Sequence, residues 1–285
     1  MPHPDVLIVD DDRVTREGLG ALLTNEGLSV DTAADGAEAI EKIETWEPSV
    51  VLLDIRLPRV GGLDVLARCA TKPTRPKVIV MTGVDPTDAA LGALRGHAYD
   101  FLSKPIDPSR LVDMVGRALA IAGEVPGIEV VSARPEWVEL LVPCTREAID
   151  RIWSFLQHLE ADLPDDVRES VALAFRELLM NGIEWGGRLD PRQKVRVACL
   201  RTRRMLLYRI ADPGPGFSFE ELAHAAVTHP SGPIAHDAVR EANGIRPGGF
   251  GLALIRALAD ELVYNERQNE VVFVKYLEQP SAPAS

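Results

Sequence analysis

The chain has 285 residues, of which 46% are hydrophobic and 26% are charged, a composition that supports two globular domains with apolar cores. Its net charge of −12 and its isoelectric point near 5.0 disfavour nonspecific binding to DNA or anionic membranes, which requires clustered Lys and Arg. Because we find neither an apolar run of about 18 residues nor a secretory leader pattern, we expect a cytoplasmic protein without direct nucleic-acid or membrane binding.

The three cysteines are far apart in the sequence and lie in apolar surroundings. Cys69, Cys144 and Cys199 show no spacing typical of a metal site. We therefore expect buried, reduced thiols rather than a disulfide or metal ligands.

Residues 5–121 alternate between short apolar runs and segments with helical periodicity. The runs are typical of buried parallel strands and lie at residues 6–9, 28–32, 50–53, 78–81 and 98–102. The helical segments lie near residues 14–25, 36–45, 62–70, 86–95 and 108–121, with Asp35, Asp85 and Asp107 as expected N-caps. This alternation predicts a doubly wound parallel sheet in a domain spanning residues 1–121.

Residues 122–132 interrupt the pattern with Gly and Pro, so we expect a linker there and a second domain at residues 133–278. The second domain mixes both periodicities. Strands are predicted at residues 137–142, 194–200, 205–211 and 270–277, and helices at 145–160, 165–184 and 250–261. The Pro/Ala/Ser-rich tail at 279–285 is expected to be disordered.

Polar residues follow four of the strands predicted in the first domain. Asp10 and Asp11 follow the first strand, Asp54 ends the third, Thr82 ends the fourth and Lys104 follows the fifth. Because the carboxyl ends of parallel strands share one edge of a sheet, we expect these side chains to meet there. Clustered carboxylates favour Mg²⁺, and an Asp54 oxygen beside the ion could attack a phosphoryl group whose charge Lys104 and Thr82 would stabilise.

The sequences LIVDDD, LLDIRLP, VIVMTG and FLSKP, in this order, resemble the receiver domain of two-component response regulators. The resemblance implies a flavodoxin-like fold in which Asp54 accepts a phosphoryl group from a phosphohistidine of a sensor kinase or phosphotransfer protein. Asp10 and Asp11 would then help Asp54 to bind Mg²⁺, while Lys104 and Thr82 would contact the phosphoryl group.

The same resemblance implies three further features of the first domain. Phe101 occupies the position of the switch aromatic, three residues before Lys104, and the Lys104–Pro105 bond is expected to be cis. Arg56, two residues after Asp54, occupies a position that tunes the lifetime of the phosphoryl group in this family.

A second set of motifs lies near the C-terminus. Glu177 and Asn181 are spaced i, i+4 on one helix face, where an amide oxygen can bind Mg²⁺ and a carboxylate can take a proton. Asp212-x-Gly214-x-Gly216 follows a predicted strand, and its glycines allow a ligand to approach the backbone closely. Gly248-Gly249-Phe250-Gly251 opens an apolar helix, whose N-terminal N–H groups suit phosphates.

These three motifs resemble the N, G1 and G2 boxes of the GHKL ATPases, whose fold is a two-layer α/β sandwich of the Bergerat type. The resemblance implies that Asn181 binds Mg²⁺, that Asp212 binds adenine, and that Glu177 is the general base or the residue that orients it. It further implies an ATP lid at about residues 218–247 and ligand contacts at Gly214, Gly216, Gly249 and Gly251. Within the superfamily the anti-sigma-factor serine kinases are the most similar branch, although Trp185 stands where that branch often has His.

Joined in one chain, the two resemblances imply a response regulator. Phosphorylation of Asp54 would control an ATP-binding serine/threonine kinase-like output that acts on an anti-sigma-factor antagonist, and a homodimer is expected. An alternative is a nucleotide-gated, non-catalytic module that sequesters a sigma factor or antagonist. A histidine autokinase would require a phosphoacceptor on a dimerising helical hairpin, for which His158 is the nearby candidate and a poor match.

Overall fold

The computed structural model describes residues 4–83, 86–120, 127–159, 162–216 and 251–277. The chain divides into two compact units, the first formed by residues 1–127 and 154–161 and the second by residues 128–153 and 162–285. Within the described ranges, no helix combines the length and the apolar character that crossing a membrane requires.

The first unit contains a five-stranded parallel sheet in the order β2-β1-β3-β4-β5. Its strands are β1 (Val6–Val9), β2 (Val30–Ala33), β3 (Val50–Asp54), β4 (Lys77–Thr82) and β5 (Asp100–Ser103). Its helices are α1 (Arg13–Asn25), α2 (Gly36–Trp46), α3 (Gly62–Ala70), α4 (Pro86–Arg95) and α5 (Pro108–Ala120). This is the doubly wound, flavodoxin-like fold that the alternating pattern predicts.

The central strands are apolar throughout because helices cover both faces of the sheet. Every residue of β1 and β3 is buried. On one face, α1 and α5 pack against the sheet and contribute the buried side chains Leu19, Leu23, Leu111, Met114, Val115 and Ala118. The strand register aligns Asp54 with Met81 and Thr82 with Ser103, so the carboxyl ends of β3, β4 and β5 meet at one edge.

Aspartate side chains cap three helices of this unit. The Asp35 carboxylate accepts hydrogen bonds from Ala37 N and Glu38 N, and Asp107 accepts from Ser109 N, which confirms two of the expected caps. The third, Asp85, lies outside the described residues. Asp12, which the sequence pattern did not predict as a cap, accepts hydrogen bonds from Val14 N and Thr15 N at the start of α1.

The second unit contains a six-stranded antiparallel sheet in the order β10-β11-β9-β8-β7-β6. Its strands are β6 (Glu129–Arg134), β7 (Trp137–Pro143), β8 (Lys194–Arg201), β9 (Met205–Ala211), β10 (Glu261–Tyr264) and β11 (Glu270–Tyr276). Its helices are α6 (Arg146–Leu159), α7 (Asp165–Asn181) and α8 (Gly251–Leu258), and a π-helical turn, Gly182–Gly186, continues α7.

One face of this sheet packs against helix α7. Burial alternates along β7 and β9, as expected of strands with one covered face. The ring of Phe175 on α7 lies 5.0 Å from that of Tyr208 on β9, and Tyr208 lies 6.4 Å from Phe273 on β11. These rings form the centre of a two-layer α/β core, the architecture expected of a GHKL-type domain.

Two strands of the second unit differ from the sequence-based expectation. Strand β6 begins at Glu129, inside the segment expected to be a linker, and pairs with β7. The helix predicted at residues 250–261 ends at Leu258, and Glu261–Tyr264 pairs with β11 instead. The turn after β10 is closed by Asn265, whose side-chain oxygen accepts hydrogen bonds from Asn269 N and Glu270 N, and this turn makes the hairpin.

Helix α6 contributes residues to both units. Its residues 146–153 belong to the second unit and its residues from 154 onward to the first. Within the first unit, Ser154 Oγ donates a hydrogen bond to the carbonyl oxygen of Phe101 at 2.9 Å and accepts one from Arg110 at 3.1 Å. The Phe155 ring lies 6.3 Å from the ring of Phe101.

We predict that Phe175→Ala destabilises the second unit by about 3–5 kcal/mol, because it empties the space between α7 and the Tyr208 ring. Leu173→Ala, two residues away on the same helix and 40% exposed, is the control and should change stability by less than about 0.5 kcal/mol. Guanidinium unfolding of the full chain followed by circular dichroism measures both. Equal effects of the two variants would contradict the assigned core.

Candidate functional site

Three carboxylates meet at the carboxyl edge of the parallel sheet. Asp10, Asp11 and Asp54 each place an oxygen so that all three lie within 4.8 Å of one another. Asp10 and Asp54 are buried, whereas Asp11 is exposed. The structure thus brings together the three residues predicted to bind Mg²⁺.

Backbone N–H groups fix one oxygen of each buried carboxylate. Asp12 N donates to Asp10 Oδ1 and Arg56 N donates to Asp54 Oδ1, both at 2.9 Å. The segment after Asp54 is held closely, since a Cβ added to Gly62 would lie 2.2 Å from the Asp54 carbonyl oxygen. The two Oδ2 atoms are therefore the ones directed toward the pocket.

Lys104 bridges these two oxygens. Its Nζ lies 2.6 Å from Asp10 Oδ2 and 2.5 Å from Asp54 Oδ2. Desolvation acts to lower the pKa of Lys104, but the hydrogen bonds and negative charges of both aspartates outweigh it and raise the pKa, so the ammonium stays protonated. The Lys104–Pro105 bond is cis, as expected.

The charge of this pocket fits a divalent cation. Three carboxylates and one ammonium leave two negative charges, and the donors are all oxygen atoms, which Mg²⁺ prefers. When bound, the ion would offset the charge of a transferring phosphoryl group, and Asp10, Asp11 and Asp54 are the residues that would hold it.

Three other residues singled out in the sequence lie on strands β4 and β5 and in the loop after β3. Thr82 is buried at the end of β4, and its carbonyl oxygen accepts a hydrogen bond from Lys104 N at 2.7 Å. Phe101 is fully buried on the neighbouring strand. A Cβ added to Gly83 would lie 3.6 Å from Lys104 Cβ and 3.9 Å from the Arg56 guanidinium, so Arg56 lies on the same edge.

A second carboxylate site, in the second unit, is built around Asp212 at the end of β9. Two glycines pack directly against it: a Cβ on Gly186 would lie 2.1 Å from Asp212 Oδ1, and one on Gly214 would lie 2.8 Å from the same atom. Gly214 N donates a hydrogen bond to Asp212 Oδ1 at 2.8 Å. Only residues without side chains allow the backbone this close to the carboxylate.

Asp212 is charged without a compensating cation. Burial raises its pKa, the Gly214 N–H bond only partly offsets this, and no basic side chain of the described residues contributes to its stabilisation. A carboxylate in that situation favours a ligand with hydrogen-bond donors, such as an exocyclic amino group. The surroundings of Asp212 therefore fit the adenine of ATP.

The loop after Asp212 packs against and hydrogen-bonds to the turn between β10 and β11. Gly216 adopts a φ of 86°, and a Cβ there would lie 1.6 Å from the Arg267 carbonyl oxygen, so glycine is required. Asn269 Nδ2 donates hydrogen bonds to the carbonyl oxygens of Asp212 and Gly214 at 3.3 and 3.2 Å. The predicted Asp-x-Gly-x-Gly segment is thus a fixed turn.

The end of helix α7 approaches this turn. Glu177 and Asn181 lie on one side of the helix, and a Cβ on Gly182, the next residue, would lie 3.5 Å from Asp212 Cβ. The structure therefore brings Asn181 and Asp212 to the same region. Of the third motif, Gly251 begins helix α8, whereas Gly249 lies outside the described residues.

Sequence reasoning missed the glycines that pack behind this site. Gly186 packs against Asp212, and a Cβ on Gly187 would lie 2.0 Å from the Cys144 sulfur. The sequence does contain a Gly-Gly pair that begins five residues after Asn181, and such a pair could have indicated close packing at this point. The cysteines are buried as expected, and desolvation raises the pKa of both Cys69 and Cys144 to about 11, which disfavours the thiolate form.

Comparison with known protein families agrees with the two sites. Residues 6–116 match the model of the response regulator receiver domain. Residues 142–275 match the model of the histidine kinase-like ATPase domain. The first match contains the acidic pocket, and the second contains Glu177, Asn181 and Asp212.

Similar individual proteins match the first unit. The DNA-binding transcriptional regulator NtrC of Klebsiella pneumoniae is 39% identical over 113 residues, 40% of this chain and 24% of that protein. An uncharacterized response regulatory protein of Vibrio cholerae is 36% identical over 115 residues, 40% of this chain and 47% of that protein. The chain spans a quarter to a half of the length of these curated relatives.

Among solved structures, the receiver domain of NtrX from Brucella abortus is 33% identical. The match covers 41% of this chain and all of that one, with a TM-score of 0.40.

We predict that Asp54→Asn abolishes phosphorylation by a small acyl phosphate donor, because the amide lacks the nucleophilic carboxylate oxygen. Asp12→Asn is the matched control and should retain phosphorylation, since Asp12 caps helix α1 and Asn caps equally well. Incorporation of labelled phosphate, with Mg²⁺ and with chelator, measures both. Label on the Asp54→Asn variant would rule out Asp54 as the acceptor.

We also predict that Asp212→Asn stabilises the free protein at neutral pH. Because burial raises the pKa of Asp212, its ionised form carries a cost that develops as pH rises above the unfolded value of 3.8 and vanishes at lower pH. The melting temperature of the variant should therefore exceed that of the wild type at pH 7, and the difference should shrink toward pH 4.

The matched control is Asp190→Asn. The side chain of Arg192 donates a hydrogen bond to Asp190 and lowers its pKa, so Asp190→Asn should not raise the melting temperature of the protein. Asp212→Asn should also weaken ATP binding about 10- to 100-fold, because it replaces a hydrogen bond to a charged group by one to a neutral amide. Calorimetric titration measures this loss of affinity. A less stable Asp212→Asn variant at pH 7 would show that the carboxylate is compensated after all.

Proposed function

We propose that this chain, a response regulator in which a receiver domain precedes a histidine kinase-like ATPase domain, is a protein kinase controlled by phosphorylation. Its output would transfer phosphate from ATP to a serine or threonine of an anti-sigma-factor antagonist or similar small protein. The observation that carries the proposal is the Asp212 carboxylate, which glycines frame and no cation among the described residues offsets, in the same chain as an acidic pocket of Asp10, Asp11 and Asp54.

In the receiver step, an Asp54 carboxylate oxygen attacks the phosphorus of a phosphohistidine. The new O–P bond forms as the N–P bond breaks, and the released imidazole takes a proton. Lys104, already within 2.5 Å of Asp54 Oδ2, remains to pair with the phosphoryl oxygens.

In the output step, the hydroxyl oxygen of a substrate serine or threonine attacks the γ-phosphorus of ATP. The bond from that phosphorus to ADP breaks, and Glu177 receives the hydroxyl proton. Asn181 would contact the nucleotide phosphates through their metal ion, and Asp212 would accept a hydrogen bond from the adenine amino group. These roles agree with the positions of Glu177 and Asn181 one turn apart on α7, whose end approaches Asp212 at Gly182.

The alternative of a histidine autokinase fits the described residues less well. The segment before α7 forms the antiparallel strands β6 and β7 followed by a single helix, α6. A histidine autokinase needs two long helices there to dimerise and present the phosphoacceptor. His158 lies on α6, within the part whose side chains are not described.

Control by Asp54 requires an element that both units share, and α6 meets this requirement. Its first half belongs to the second unit, and its second half contacts Phe101 through Ser154 and Phe155. We propose that a change at Phe101 is transmitted along this helix, whose preceding residues belong to the second unit.

The test is a transfer assay with labelled ATP, the full chain and candidate antagonist proteins, with and without beryllofluoride to mimic phosphorylated Asp54. We expect transfer that depends on the receiver state. Glu177→Gln should bind Mg-ATP and fail to transfer, and Asn181→Ala should lose Mg-ATP affinity. Glu169→Gln, exposed on the same helix, is the control and should behave as wild type.

Calorimetric titration with Mg-ATP in the two receiver states accompanies this assay, because a changed affinity measures the coupling of the two sites directly. Absence of transfer to every cognate antagonist in both states would refute the kinase activity. If partner control survived in Asn181→Ala, the output would be a binding module rather than an enzyme.

A further inference from the structure

We propose that Asn269, in the turn between β10 and β11, is a positioning residue that sets the direction in which Asp212 meets the nucleotide base. The inference rests on the proposed nucleotide site of the second unit. It adds to that site a residue outside the three motifs, which acts on base recognition through the Asp212 loop rather than by touching the nucleotide.

Asn269 holds the main chain of Asp212 on both sides of its Cα. Asp212 N donates a hydrogen bond to the Asn269 carbonyl oxygen at 2.8 Å. In the opposite direction, Asn269 Nδ2 donates to the carbonyl oxygen of Asp212 at 3.3 Å. The backbone from which the Asp212 side chain projects is therefore fixed by one residue of the neighbouring turn.

The same amide also holds the group that orients the carboxylate. Gly214 N donates to Asp212 Oδ1 at 2.8 Å, and the Gly214 carbonyl oxygen accepts a hydrogen bond from Asn269 Nδ2 at 3.2 Å. Asn269 thus anchors both the residue that bears the carboxylate and the residue whose N–H group binds one of its oxygens. We infer that the direction of the carboxylate depends on this single side chain.

A second amide sets the orientation of the first. Asn265 Nδ2 donates to Asn269 Oδ1 at 2.8 Å, while Asn265 Oδ1 accepts hydrogen bonds from Asn269 N and Glu270 N. Carbonyl oxygens only accept hydrogen bonds, so the Asn269 amide must present Nδ2 to those of Asp212 and Gly214. By donating to Oδ1 at the other end of that amide, Asn265 favours this orientation.

Close packing makes the loop sensitive to this turn. A Cβ on Gly216 would lie 1.6 Å from the Arg267 carbonyl oxygen and 3.5 Å from Asn269 N, so the two segments touch through their backbones. An Asn269→Asp substitution keeps the shape of the side chain but replaces the donor by a carboxylate oxygen. Two carbonyl oxygens would then face an acceptor, and we expect the Asp212 loop to shift.

The expected effect is confined to recognition of the base. Because Asn269 acts through Asp212, its loss should weaken binding of ATP and leave inorganic tripolyphosphate, which lacks a base, unaffected. Tripolyphosphate is a polyanion like ATP, so repulsion by an added carboxylate would weaken its binding as well. Loss of ATP affinity alone therefore separates positioning of Asp212 from a simple charge effect.

The experiment is calorimetric titration of the full chain with Mg-ATP and with magnesium tripolyphosphate. We expect Asn269→Asp to weaken ATP binding on the order of tenfold or more, the size of two lost hydrogen bonds, with tripolyphosphate binding unchanged. In the Asp212→Asn background the same substitution should change ATP affinity by less than about twofold, because the carboxylate that it positions is already gone.

A milder variant keeps the test open if Asn269→Asp proves unfolded by circular dichroism. Asn265→Asp retains the oxygen that accepts from Asn269 N and Glu270 N, and it loses the donor that orients the Asn269 amide. We expect a loss of ATP affinity of about fivefold, again without a change for tripolyphosphate. Glu266→Gln, exposed in the same turn, is the control and should bind both ligands as the wild type does.

Four results would overturn the inference. Unchanged ATP affinity in Asn269→Asp would leave the proposed kinase intact and remove Asn269 from base recognition. Equal losses for ATP and tripolyphosphate would show a general structural role. A full further loss in the Asp212→Asn background would show that Asn269 acts independently of Asp212. A wild-type chain that binds no ATP would refute both the inference and the proposed function.

Discussion

Repulsion among Asp10, Asp11 and Asp54 is the constraint on which the receiver half of the structure depends. A parallel sheet brings the carboxyl ends of its strands to one edge, and the order of the strands places these residues side by side there. Lys104 holds the two buried carboxylates together, and backbone N–H groups fix their other oxygens. The three carboxylates and Lys104 therefore form a pocket whose remaining negative charge favours a cation.

The second unit holds its carboxylate in a different way. Asp212 has the Gly214 N–H group and close glycine backbone around it, and among the described residues no cation offsets its charge. Burial of the ionised carboxylate therefore lowers the stability of the folded state locally, as is common at functional sites. In the acidic pocket Lys104 offsets part of the negative charge, and a metal ion would offset the rest. The Asp212 site instead favours a ligand with a hydrogen-bond donor. This difference agrees with a phosphoryl group as the input and a nucleotide as the substrate.

How far the sequence predicted the structure depended on the strength of the local pattern. Strands such as β1 and β3 were predicted because buried parallel strands are continuously apolar. Strand β6 was missed because Gly and Pro precede it, and β10 because the apolar pattern of α8 continues into Leu262 and Val263. Three successive aspartates cannot be told apart by type, and the structure showed that Asp12 serves as a helix cap. The close packing of Gly186 depends on a contact with Asp212, which local pattern does not report.

The two contacts between α6 and Phe101 respond differently to a change at that residue. Ser154 binds the main-chain carbonyl oxygen of Phe101, so this hydrogen bond does not depend on the side-chain rotamer. The Phe155 ring packs 6.3 Å from the Phe101 ring, and that contact changes as soon as the Phe101 side chain turns. Within the first unit, the hydrogen bond therefore depends on the main chain of Phe101, whereas the ring contact depends on its side-chain rotamer.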